Sequence, residues 1–137
     1  MLNQDLGLVF ELDGSNVTTD YAFSPSLALG RAKRVRFFIK CVRAADSSAT
    51  TTTFKLQGRD PGVTDYVDVP SNRDDTMGTA STLEVGHAYS TPAGASSSFS
   101  FYLDNARCLN DVVVGIVANA AGADDGDTTS VYAVAEG

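Results

Sequence analysis

Few residues in this chain have the type and spacing to do chemistry. His87 is the single histidine, and its context Gly86-His87-Ala88-Tyr89 holds no flanking acid. A hydroxyl or thiol nucleophile needs a base within hydrogen-bond reach. The sequence contains neither a Gly-x-Ser-x-Gly elbow nor a cysteine-then-histidine signature, so His87 is expected at a loop or strand edge. The adjacent acids Asp74-Asp75 and Asp124-Asp125 have the composition of the carboxylate pairs that hydrolyse glycosides, but both sit among turn-forming residues, as solvated loop tips do. Asp124-Asp125-Gly126-Asp127 offers oxygen ligands to a hard cation, yet it lacks the spaced ligands and distal glutamate of an EF-hand loop; a solvated turn is expected. Gly58-Arg59-Asp60-Pro61-Gly62 has no lysine followed by serine or threonine, so it is no phosphate loop. Cys41 and Cys108 match no zinc spacing. Two buried thiols are expected, with a Cys41–Cys108 disulfide as the alternative. No catalytic residue, cofactor or metal is expected, and the chain reads as a non-enzyme.

One constellation stands apart. Arg31, Lys33, Arg34, Arg36, Lys40 and Arg43 are six of the ten basic residues, and they fall within thirteen positions that contain no acid. With side chains alternating across a strand, Arg34, Arg36, Phe38, Lys40 and Val42 share one face, opposite Val35, Phe37, Ile39 and Cys41. A cationic face with an aromatic in it, on a chain of net charge −7, predicts a partner surface made of Arg34, Arg36, Phe38 and Lys40. Two plainer readings stay open: a solvated strand balanced by the protein's own acids, or a second sheet packed over Phe38. An acidic loop of a neighbouring copy, residues 124–127, is the natural self-partner.

The elements that would position these residues are strands. No segment of ten or more residues shows a 3.6-residue apolar period. The nearest, Ser26-Leu27-Ala28-Leu29, lies between Pro25 and Gly30 and allows at most a turn of helix. Period-two alternation predicts strands over 6–12 and 17–23, joined as a hairpin through Asp13-Gly14, and over 34–43. Further strands are predicted over 53–58, 63–69, 81–85, 98–103, 112–118 and 128–135. Residues 44–50, 70–80, 86–97 and 119–127 have loop composition. Residues 112–118 are apolar on both faces, as in a central strand or one covered at an interface. Leu8, Phe10, Phe37, Ile39, Phe54, Leu56, Val67, Phe99, Phe101, Val114 and Ile116 are the expected core. Eight or nine short antiparallel strands predict an all-β fold, a β-sandwich or jelly roll, as a single domain over residues 1–137.

Overall composition agrees, with 43% hydrophobic and 20% charged residues in 137. Strong acidity repels phosphate backbones and anionic membranes, so no nucleic-acid and no membrane partner is expected. The sequence has no ~20-residue apolar span, and Met1-Leu2-Asn3-Gln4-Asp5 has no secretory character; a product made in the cytoplasm and staying soluble is expected. The absence of tryptophan weighs against a sugar-binding platform.

In length, acidity, strand layout, the Phe54-Lys55-Leu56-Gln57-Gly58-Arg59-Asp60-Pro61-Gly62 hairpin and the strand over 112–117, the chain resembles the jelly-roll capsid decoration (cement) proteins of tailed bacteriophages. The resemblance implies a homotrimer seated on the outer capsid, assembled in the host cytoplasm and clamping the major capsid protein. A protein that binds only the assembled shell stabilises that shell by mass action, and repetition adds avidity. Alternatives are another head- or tail-associated phage structural protein, or a glycan-binding β-sandwich module.

Overall fold

The computed structural model describes residues 4–13, 21–28, 32–47, 51–59, 62–74, 82–104, 111–118 and 127–136. Among them there is no helix, and twelve strand segments are present: β1 (Gln4–Asp13), β2 (Ala22–Phe23), β3 (Leu27–Ala28), β4 (Arg34–Val42), β5 (Thr51–Arg59), β6 (Val67–Val69), β7 (Ser71–Asp74), β8 (Thr82–Glu84), β9 (Gly86–Ser90), β10 (Ser96–Asp104), β11 (Asp111–Ala118) and β12 (Thr128–Glu136). The fold is all-β, as the alternation predicts.

Two antiparallel sheets form. One runs β1-β12-β4-β10-β7-β8; the other runs β2-β11-β5-β6, with β3 also on β11 and β9 also on β5. The pairs nest along the chain. β4 pairs with β12 in the first sheet, β5 with β11 in the second, and β7 with β10 in the first again. That nesting is a long hairpin wrapped around a core, the jelly-roll arrangement.

The core follows from strict alternation on the long strands. On β4, Val35, Phe37, Ile39 and Cys41 point inward and are buried; on β5, Thr52, Phe54, Leu56 and Gly58 do the same. Phe101 and Leu103 of β10 and Val131, Ala133 and Ala135 of β12 complete the inner face of the first sheet. Phe37 stacks on Phe101 at 5.1 Å between ring centroids, and Phe54 reaches Phe101 from the other sheet at 6.3 Å. The aromatic rings thus join the two layers.

Several expectations need correction. The first two predicted strands are no hairpin: β1 joins β12 and β2 joins β11, in different sheets. Residues 27–28 make a strand against β11, not a helical turn. Ser71–Asp74 and Gly86–Ser90 are strands where loops were expected. Pairing in the β5–β6 hairpin begins at Val67, not Val63. In the predicted core, Phe37, Ile39, Phe54, Leu56 and Phe101 are buried and Phe99 packs partly against them. Leu8 is exposed because register shifts at Asp5/Gly7 and Leu8/Phe10 break the alternation of β1. Gly7, at φ 67°, supplies the left-handed residue. Val67, at 59% exposed, lies at the end of an edge strand opposite Gly58. The side chains of Phe10, Val114 and Ile116 lie outside the described residues.

Candidate partner-binding face of the six-stranded sheet

Arg34, Arg36, Phe38 and Lys40 all lie on the outer face of the β1-β12-β4-β10-β7-β8 sheet, because their odd-numbered neighbours on β4 fill the core. Cross-strand register places them in rows. In the central row, Leu8 of β1, Tyr132 of β12, Phe38 of β4 and Ser100 of β10 are direct neighbours. Leu8 is 52% exposed, Tyr132 41% and Phe38 43%, so three large apolar side chains on three adjacent strands stand in solvent. Among the described residues no second sheet packs over Phe38. Single exposed apolar residues are ordinary; a contiguous row is not.

The rows on either side are polar. On one side lie Glu11, Ser130, Lys40 and Ser98, with the Ser130 hydroxyl donating to Glu11 Oε2 at 3.0 Å. Lys40 is exposed and forms no ion pair among the described residues. On the other side Arg36 neighbours Val134 and Tyr102, and beyond it Arg34 neighbours Glu136 and Asp104. Arg34 Nε donates to Asp104 Oδ1 at 2.8 Å, and its Nη1 lies 4.0 Å from Glu136 Oε2; Arg36 Nε lies 3.5 Å from Glu136 Oε1. Both guanidiniums sit over the Tyr102 ring, at 4.5 and 4.9 Å from its centroid. The bond to Asp104 raises the Arg34 pKa against the opposing effect of burial, with the charges of Asp104 and Glu136 adding to it. The two arginines are therefore balanced by the protein's own acids, while Phe38 and Lys40 face outward.

The remaining candidate groups are not brought to this face. His87 is corrected from a loop or edge residue to a fully buried one on β9, with its Nε2 2.7 Å from Ser71 Oγ and its ring 5.2 Å from that of Phe101. No sequence motif marks this pair; only a strand reading of 71–74 and 86–90 would have placed both side chains inward. Asp127 is also buried rather than a loop tip. Its Oδ1 accepts from the Ala44 amide at 2.8 Å, and its Oδ2 accepts from Ser47 Oγ at 2.6 Å and lies 3.7 Å from Arg43 Nη1. Arg43 Nη2 also donates to Thr52 Oγ1. Asp127 is thus spent on Arg43 of its own chain and is no partner for Arg34, Arg36 or Lys40. Asp75, residues 124–126, Cys108 and the side chain of Asp74 lie outside the described residues. Cys41 is a free, buried thiol, and burial pushes its pKa up against the lowering effects of Arg43 and neighbouring threonines. Among the described residues no group of three or more potential metal ligands forms.

No family model and no curated protein matches the chain. Solved structures do. The SPBc2 prophage-derived protein YomS superposes with a TM-score of 0.54 at 12% identity, covering 98% of this chain and 95% of YomS. The CBM22-1–GH10 modules of the Clostridium thermocellum endo-1,4-β-D-xylanase 10B, a structure complexed with xylohexaose, superpose with a TM-score of 0.51 at 11% identity, covering 98% of this chain and 26% of that one. At such identities the likeness is one of fold: this β-sandwich is found in a prophage-derived protein and in part of a xylanase.

Proposed function

We propose that the chain is a non-enzymatic structural protein of a tailed-phage particle, a decoration protein that adds to the outside of the head and works through protein–protein contact at the outer face of the sheet that holds β1, β12, β4 and β10. The observation that carries this is the exposed row Leu8–Tyr132–Phe38, bounded by charged rows. An apolar centre with an aromatic and arginines around it, closed by a polar rim, is the anatomy of a protein interface. The sharing of the fold with a prophage-derived protein supports the phage setting. The buried Ser71–His87 contact supports a non-enzymatic role, since both groups are closed off from any substrate.

A glycan-binding role is the second reading, favoured by the fold shared with a structure complexed with xylohexaose. The tyrosines weigh against it. Of the five in the chain, Tyr21, Tyr66, Tyr89 and Tyr102 each carry a lysine or arginine head within 4.4–5.0 Å of the ring centroid, so one face of each of those rings is already covered. Tyr132 alone is free of such a contact among the described residues.

The test is addition of the purified chain to heads assembled without it. Saturable binding and a higher temperature of DNA release are expected. Binding on a glycan array with no binding to heads would replace this reading with the second.

A further inference from the structure

Where β4 ends, the interior of the sandwich turns from apolar to polar. Cys41 is the last inward residue of β4. Thr129 of β12, Thr52 of β5 and Thr91, which follows β9, place their hydroxyls around its thiol. Arg43 joins them one residue past β4. Strands of both sheets supply this cluster, and all five side chains are buried.

Two loops close it from the end. The Arg43 amide donates to the Ala95 carbonyl at 2.9 Å, and the Gly94 amide donates to the Ala44 carbonyl at 3.0 Å. Gly94, at φ 72°, comes so near that a Cβ there would lie 3.6 Å from Ala45 Cα. Asp127, just before β12, ties in the same loop by accepting from the Ala44 amide and the Ser47 hydroxyl.

Inside this enclosure two polar atoms are left over. Arg43 Nη1 lies 3.7 Å from Asp127 Oδ2 and Nη2 donates to Thr52 Oγ1, but Nε finds no acceptor among the described residues. Thr91 lies beside the Cys41 thiol, a weak partner, and its Oγ1 forms no hydrogen bond among the described residues. Arg43 is 4% exposed and Thr91 1%, so bulk solvent serves neither atom. Buried polar atoms without a partner are costly, and few folded proteins keep them.

What would satisfy both atoms has a defined chemistry. It must accept from the Arg43 Nε–H and share a hydrogen bond with a hydroxyl. It must be neutral: Asp127 already balances Arg43, so an added ion would be a buried charge without a counterpart. It must be small, because the paired loops cover the end of the cluster. Water meets all three requirements and keeps a hydrogen-bonding position for the Cys41 sulfur.

From this we infer that Arg43 Nε and Thr91 Oγ1 hold one internal water molecule beneath the loops 43–47 and 91–95, as a binding site built into the fold. The water joins the end of β4 in one sheet to the end of β9 in the other. The site is independent of the reading of the outer sheet face.

A high-resolution crystal structure of the wild type tests it, together with magnetic relaxation dispersion of the water oxygen, which counts waters held inside the fold. The dispersion compares the wild type with Thr91→Val, which keeps the shape and removes the hydroxyl, and with Thr91→Ser, which keeps the hydroxyl; circular dichroism checks that each folds. The crystal is expected to show one ordered water at about 2.7–3.2 Å from both Arg43 Nε and Thr91 Oγ1. Thr91→Val is expected to hold one long-lived water fewer than the wild type, and Thr91→Ser the same number. Wild-type density with no water at these atoms, with a water on only one of them, or with either atom bonded directly to a protein group overturns the inference. An unchanged water count in a folded Thr91→Val overturns it as well. If Thr91→Val does not fold, the wild-type density decides alone.

Discussion

Ser71 Oγ lies 2.7 Å from Nε2 of His87, and both side chains are fully buried between the sheets. The contact closes the corner where the chain crosses between layers, from β6 to β7 through Pro70 and from β8 to β9 through Val85. Ser71→Ala removes the hydrogen-bond partner of a buried ring nitrogen, so a loss of about 1–3 kcal/mol in urea unfolding is expected. A fluorophosphonate probe is expected to leave Ser71 of the native protein unlabelled. Rapid, stoichiometric labelling would mean an accessible, activated serine and would end the non-enzymatic reading.

Arg43 and Asp127 tie the end of β4 to the start of β12 as a buried ion pair. Asp127→Ala leaves a buried guanidinium without its countercharge, and a loss of about 3–5 kcal/mol is expected from chemical denaturation. Replacing Arg43 and Asp127 together by apolar residues is expected to cost less than Asp127→Ala alone. The double-mutant cycle reads that difference directly.

Gln57 and Lys55 hold the Asp68 carboxyl below its ordinary range, through a 2.9 Å bond from Gln57 Nε2 and a 3.0 Å contact from Lys55 Nζ, both to Oδ1. Because the folded value lies below the unfolded one, this contribution is present above the ordinary carboxylate range and is lost as pH falls through the folded value. It is small, since the pair is solvent-screened. A carboxyl-carbon NMR titration is expected to show the Asp68 midpoint moving upward in Gln57→Leu and in Lys55→Met. An unmoved midpoint would remove both contacts from the account.

The Cys41 thiol is buried and its pKa is raised by burial. Reactivity follows the thiolate and its exposure. Iodoacetamide, read out by peptide mass at residue 41, is therefore expected to modify it only after unfolding. Fast native labelling would contradict the burial.

The sequence was most legible where strands are long and packed on one face. β4 and β5 alternate without interruption, so Phe37, Ile39, Phe54 and Leu56 fell to the core and Phe38 to the outside as read. β1 was misread because Gly7 and its register shift turn Leu8 outward, and a period-two count cannot see a bulge. His87 was misread because Gly86 and Ser90 give its strand loop composition, while burial there is set by Phe54 on the paired strand and by Phe101 of the facing sheet. The basic strand was visible as a charge pattern. Its balance by Asp104 and Glu136, and the addition of Leu8 and Tyr132 to the face, depend on which strands flank β4, and pairing between distant segments leaves no local trace in a sequence.

The central claim is that the Leu8–Tyr132–Phe38 row is a protein-binding surface. Its most direct test is a binding isotherm on heads assembled without the chain, comparing the wild type with Phe38→Asp and monitoring thermal unfolding of both. With unfolding temperatures alike, the expected result is an affinity lower by about tenfold or more for Phe38→Asp, roughly 1.4 kcal/mol per decade. Equal affinities for two equally stable proteins would contradict the claim and leave the row an ordinary exposed face.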